Sequence, residues 1–149
     1  MPEINRRVIV PHTALQMFLL VNDIAQYKEF VPGCVESVVD LQTDSEIRAT
    51  LTLGAVGLQK SFTTRNTLKE NAILIELVEG PFRDLTGAWQ FHALDNTRCE
   101  VNFYLSFEFS SRMVGMMFGA AFEAVTSKLV EAFVARGREI YGCPEELTL

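Results

Sequence analysis

A chain of 149 residues suits one domain, and by burying about 70% of the surface its unfolded form exposes it can hold a core without disulfides or a metal. Hydrophobic residues make up 48% and charged residues 21%, ordinary globular usage, with eleven Phe against a single Trp. The formal net charge of -6 is a poor match for phosphate backbones; it argues against DNA as a partner and weakens any RNA interface.

Residues 4–10 are rich in β-formers and stop at Pro11, which predicts a first strand. Thr13 is placed to cap a helix in which Leu15, Phe18, Leu19 and Asn22 follow helical spacing. Asp23 is placed to cap a second short helix with Ile24, Tyr27 and Phe30 on one side, ended by Pro32 and Gly33. Strand-like stretches follow at 35–41, 46–53, 59–68, 72–79, 85–94 and 99–109. Their alternation is clean: Ile47, Ala49, Leu51 and Leu53 oppose Arg48, Thr50 and Thr52, and Ile73, Ile75 and Leu77 oppose Glu76. In 59–68, which is more polar, Phe62 faces inward. In the last stretch Val101, Phe103, Leu105, Phe107 and Phe109 oppose Glu100, Asn102, Ser106 and Glu108. Such alternation means a sheet with one wet face, and the short connections make it largely antiparallel.

The apolar face needs a cover. Ser111 is placed to cap one: a helix running to about Tyr141, roughly 45 Å long at about 1.5 Å per residue, stopped by Gly142 and Pro144. Val114, Phe118, Phe122, Val125, Leu129, Phe133 and Ile140 recur along it at steps near three and four. The expected fold class is therefore α+β, one domain over residues 1–149, with a curved antiparallel sheet wrapped around a long C-terminal helix. A curved sheet cannot pack tightly along the whole of such a helix, so one end opens into an apolar cavity.

Chemical groups are sparse. Of the two histidines, His92 falls on the wet side of its strand with Thr86, Ala88 and Gln90, and His12 sits between Pro11 and the first helix; both read as surface or loop residues. Cys34, Cys99 and Cys143 are far apart and odd in number, which predicts no disulfide framework and a reduced, cytoplasmic setting. They also lack metal-ligand spacing, no serine or cysteine is paired with a base, and no glycine-rich phosphate loop occurs. No catalytic residue, metal or cofactor is expected, and the chain reads as a non-enzyme. The opening MPEINRRVIVPHT lacks the apolar core of a signal peptide. The most apolar later run, 113–122, is half the length of a membrane span. Arg136 reads as a snorkelling or ion-paired side chain, with a ligand headgroup contact as the alternative. Gly115 and Gly119 either pack tightly on the sheet or leave room for a ligand beside Phe118 and Phe122. Met113, Met116 and Met117 add flexible apolar surface suited to a hydrophobic ligand, to transient membrane contact, or to core filling.

Several blocks carry a resemblance: RRVIVPHTALQMFLLVNDIAQY, YKEFVPGC (27–34), SFTTRNTL (61–68), EGPFRDLTGAWQF (79–91), FEFSSRM (107–113) and EAFVARGREIYG. Together, from Arg7 to Tyr141, they resemble the coenzyme Q-binding, polyketide-cyclase-like branch of the START superfamily (SRPBCC). That branch includes mitochondrial coenzyme Q-binding proteins and bacterial ribosome association toxins. Lys28 and Gly33 stand where the branch usually has Pro and Trp, and Gly137 where it has Ala. The resemblance implies a helix-grip fold with a hydrophobic tunnel. The leading functional expectation is binding or transport of a hydrophobic, lipid-like small molecule, with a polyprenylated quinone (ubiquinone) as the ligand class. The alternative is a ribosome association toxin or translation regulator that binds the large ribosomal subunit, and the third is an oligoketide cyclase. The inward faces supply an apolar lining for such a ligand: Leu51, Leu53, Phe62, Ile75, Trp89, Phe91, Phe103 and Leu105 from the sheet, and Phe118, Phe122 and Val125 from the helix.

Overall fold

The computed structural model describes residues 3–55 and 58–142, so Cys143 and Pro144 lie outside the described residues. Its elements are β1 (Glu3–Val10), α1 (Ala14–Asn22), a 3-10 turn (Ile24–Gln26), α2 (Tyr27–Phe30), β2 (Cys34–Gln42), β3 (Glu46–Ala55), β4 (Leu58–Lys69), β5 (Ala72–Glu79), β6 (Phe82–Ala93), β7 (Cys99–Phe109), α3 (Arg112–Ser127) and α4 (Leu129–Tyr141). The strands form one sheet in the order β1-β7-β6-β5-β4-β3-β2, antiparallel at every pairing. From β2 to β7 the sheet is a meander of successive hairpins, and β1 closes onto the free edge of β7.

The alternation read from the sequence sorts the faces correctly. Ile47, Ala49, Leu53, Ile73, Leu85, Trp89, Val101, Phe103, Leu105 and Phe107 are buried on the side that meets the helices. Thr13 caps α1 through a reciprocal pair: its hydroxyl accepts from Gln16 N at 3.1 Å, and Thr13 N donates to Gln16 Oε1 at 2.8 Å. The face α1 buries differs from the expected one. Ala14, Met17, Leu20 and Val21 point inward, Phe18 is half-buried, and Leu15 and Leu19 face solvent. The segment ALQMFLLVN is apolar nearly all round, so spacing alone cannot select its inner side. Asp23 makes no capping bond; the chain passes directly into the 3-10 turn.

Ser111 caps the covering helix, accepting from Val114 N at 3.2 Å. That helix is two segments rather than one, with Lys128 between them at φ -103°, ψ 2°. The cause lies one turn back. Thr126 Oγ1 donates to Phe122 O at 2.9 Å, and Lys128 N donates to Val125 O at 3.2 Å, so the last turn of α3 tightens. In α4 the buried line runs Val130, Phe133, Gly137, while Ile140 is exposed. In that last turn Tyr141 reaches α1 instead, its hydroxyl donating to Gln16 O at 3.0 Å. By length and composition Arg112–Tyr141 is long and apolar enough to cross a membrane, beyond what the run 113–122 indicated. In this fold its Phe118, Phe122 and Phe133 are buried against the sheet.

His12 is a core residue, contrary to the surface reading. It is 3% exposed, between α1 and α4, with its ring 5.5 Å from that of Tyr141. A Cβ on Gly137 would lie 3.2 Å from His12 Cδ2, tighter than an ordinary contact, so glycine gives the imidazole its space. Burial, and secondarily the Arg138 charge, hold the His12 pKa below its ordinary value. The unfolded chain therefore takes up this proton first as pH falls through about 6.5, and stability falls with acidification. The expected result is a lower urea midpoint at pH 5.5 than at pH 8, with a smaller difference in His12→Gln; equal pH dependence in both proteins would remove His12 as the cause.

Candidate functional site

The inward faces of β3 to β7, the segment around α2 and the middle of α3 enclose an apolar cavity of about 80 Å³. Nine of the side chains read as lining stand on it: Leu51, Leu53, Phe62, Ile75, Trp89, Phe103, Leu105, Phe122 and Val125. Phe91 and Phe118 do not reach it. Phe91 is covered by α1, meeting Phe18 edge-on at 6.0 Å, and Phe118 packs on Phe109 at 6.1 Å. Lining contributed by Ile24, Tyr27, Val31 and Cys34 escaped the sequence reading, because nothing in the pattern of a short helical segment reveals that it closes one end of a sheet.

Trp89 stacks on Phe103 at 4.4 Å and meets Phe133 edge-on at 5.2 Å, forming one wall. Phe122 forms another, in contact with Phe62, Phe82 and Phe107 at 5.9, 4.9 and 4.8 Å. The two glycines of α3 open nothing into this space. A Cβ would lie 3.3 Å from Phe109 Cδ2 at Gly115, tighter than an ordinary contact, and 3.5 Å from Phe109 Cε2 at Gly119, an ordinary one, so both face the Phe109 ring and only Gly115 packs tightly on it. Gly33 adopts φ +85°, and a Cβ there would lie 2.5 Å from Val125 Cγ2. The aromatic usual at this position therefore has no room against α3 in this chain. Arg136 lies outside the cavity, 5.0 Å over the Phe30 ring and 3.3 Å from Glu139 Oε2.

Five lining side chains are polar: Tyr27, Cys34, Thr64, Asn66 and Thr126. The Tyr27 hydroxyl donates to Val21 O, and burial, then Cys34 and Asp23, push its pKa up. Cys34 Sγ contacts Glu36 O at 3.4 Å, and burial raises its pKa to about 11, so it stays a thiol and a weak nucleophile. Thr126 is bonded back to its own helix. Thr64 Oγ1 donates to Asn66 Oδ1 at 3.2 Å, the only one of these bonds that joins two lining side chains. Among the described residues no carboxylate, histidine, lysine or arginine lines the cavity. The arrangement binds apolar matter and offers one amide; it holds no acid–base pair. Size is the second constraint. A dry cavity of roughly 150 Å³ takes up benzene, so a ring-sized ligand requires this one to widen.

Residues 10–134 match the family described as polyketide cyclase / dehydrase and lipid transport. The ribosome association toxin RatA of Vibrio cholerae is 43% identical over 143 residues, covering 95% of this chain and 99% of that protein. The mitochondrial coenzyme Q-binding protein coq10 of Schizosaccharomyces pombe is 28% identical over 137 residues, covering 87% of this chain and 83% of its own length. Among solved structures, the ZhuI aromatase/cyclase from Streptomyces superposes with a TM-score of 0.79 over 93% of this chain and 95% of its own, at 16% identity, a likeness of fold alone. With its START-like helix grip and a family match from strand β1 into α4, the chain is a member of the polyketide cyclase / dehydrase and lipid transport family.

Proposed function

We propose that the chain is a non-enzymatic, cytoplasmic carrier that binds a hydrophobic, lipid-like molecule of the polyprenylated quinone class, such as ubiquinone, in the cavity between sheet and α3. The observation that carries this reading is the lining itself: predominantly apolar, without charged groups among the described residues, and with one amide–hydroxyl pair joining two lining side chains. The similarity to a protein named for coenzyme Q binding supports the ligand class. Burying about 200 Å² of headgroup at roughly 25 cal/mol per Å² yields about 5 kcal/mol, a sub-millimolar affinity at best. Micromolar binding therefore needs part of the isoprenoid tail inside as well, with α3 displaced. Met113, Met116 and Met117 at the start of α3 are exposed, Met116 by 79%, and serve as the surface for transient membrane contact during loading. Co-flotation with liposomes, lost on replacing these methionines with Ser, checks that step.

Trp89 lines the cavity and is the only tryptophan, so its fluorescence reports on occupancy. A short-chain ubiquinone analogue is expected to quench it saturably in the micromolar range; quenching that stays linear with concentration would mean collision and no site. The 43% identity to RatA favours a second reading, association with the large ribosomal subunit. The charge of -6 opposes it, and no stable comigration on sucrose gradients at physiological salt is expected. Stoichiometric comigration with the large subunit would replace the carrier reading by a ribosomal one. An oligoketide cyclase reading finds no acid–base pair on the cavity wall among the described residues.

A further inference from the structure

Thr64 and Asn66 lie two residues apart on the inward face of β4, each 8% exposed. Asn66 sits between two isoleucines, paired with Ile47 on β3 and Ile75 on β5. An amide in such company is costly unless both its ends are met. The other polar lining groups spend their donors on the main chain: Tyr27 on Val21 O, Cys34 on Glu36 O, Thr126 on Phe122 O. Asn66 differs. Its Oδ1 accepts from Thr64 Oγ1 at 3.2 Å; its Nδ2 has no hydrogen bond to protein among the described residues and is not one of the enclosed unpaired atoms, so it is open to the cavity that the side chain lines.

Resting on the carrier reading above, we propose that Asn66 is the polar anchor of the cavity: its Nδ2 donates to a carbonyl oxygen on the ligand's headgroup, and Thr64 holds the amide in the orientation that presents that donor. The cavity thereby prefers a ring bearing carbonyl oxygens, as in a quinone, over a hydrocarbon of the same shape. A pure hydrocarbon leaves Nδ2 unmet on binding, whereas a carbonyl acceptor satisfies it.

The test compares two ligands by titration calorimetry: a short-chain ubiquinone analogue and an alkylbenzene of equal tail length. Asn66→Leu is expected to weaken quinone binding roughly tenfold, the worth of one buried hydrogen bond, while alkylbenzene binding stays within about twofold or tightens. Its melting temperature is expected to stay within a few degrees of wild type, because the acceptor lost by the Thr64 hydroxyl is offset by an apolar side chain among isoleucines. Thr64→Val, which frees the amide to turn, is expected to reduce the quinone preference by about threefold, and it decides the matter if Asn66→Leu does not fold. Equal quinone affinity in wild type and variants, or parallel loss of both ligands, would overturn the anchor role alone. Wild-type protein that binds neither ligand would overturn the carrier reading with it.

Discussion

Replacing Phe122 with Ala is expected to cost about 4 kcal/mol and to lower the melting temperature by roughly 10 °C. The ring is 1% exposed and stands at the meeting point of sheet and α3. Its neighbours are Phe62, Phe82, Phe107, Phe109 and Phe118, all with ring centroids within 5.9 Å. Removing it deletes apolar area and leaves a void among rings that belong to three different strands and α3 itself, and such rings cannot all collapse inward together. Phe122→Leu keeps most of the volume and should cost about 1.5 kcal/mol. Phe122 also walls the cavity, so the Ala variant holds more empty space beside Trp89 and Phe103. A ring-sized ligand should then recover more of the lost melting temperature in the variant than it adds to the wild type. Thermal melts with and without the short-chain quinone check both halves. A drop of less than about 3 °C would show that the aromatic cluster does not depend on this ring.

Gly87→Ala carries the second large effect. Gly87 stands opposite Leu105 where β6 pairs with β7. A Cβ there would lie 2.5 Å from Tyr104 O and 2.9 Å from Leu105 Cδ1. The leucine methyl can turn away, but the carbonyl belongs to the sheet and moves only with β7. Exchanging Gly for Ala ordinarily stabilises by about 0.4–1 kcal/mol through the unfolded chain. Here the backbone contact outweighs that gain, and a net loss of about 3 kcal/mol is expected, read as a lower midpoint in urea. A neutral or stabilised variant would mean that β6 and β7 separate there at little cost.

Most of the strand faces could be read before any coordinates because alternation is a local property. In β3 and β7 every second residue is apolar, and nearly all of the intervening ones are polar or charged, so parity alone assigns the core. The same rule applied to β4 puts Thr64 and Asn66 inward with Phe62. The polar character of that strand hid the implication, although the signal, a polar residue in phase with a buried phenylalanine, was present. Helices were less legible. The inner face of α1 depends on what packs against it, since nearly all its residues are apolar. The break at Lys128 depends on one hydroxyl, Thr126 Oγ1, choosing a carbonyl in its own helix. His12 looked like a loop residue because its burial is produced by Tyr141 and Gly137, more than a hundred positions away in the chain. The nine named side chains that stand on the cavity were reached through sheet parity and helix spacing. The two that miss it, Phe91 and Phe118, obey the same strand parity and helix spacing respectively but lie under α1 and Phe109, which is a matter of lateral position that one-dimensional patterns do not encode.

The pairing of β1 with β7 sets the order of events during synthesis. Val10 faces Cys99 and Ile4 faces Leu105, partners separated by about 90 to 100 residues. At roughly 5–20 residues per second, the first strand leaves the ribosome some 5 to 20 s before its partner exists. Each hairpin of the meander from β2 to β7 can form as it emerges, but the N-terminal segment has nothing to join until β7 is complete. Throughout that interval β1, with Val8, Ile9 and Val10 at its end, is an unsatisfied strand, and a domain with such long-range closure folds slowly. Nascent chains stalled before residue 99 should therefore recruit holdase chaperones to this N-terminal segment, and release them once β7 has cleared the exit tunnel.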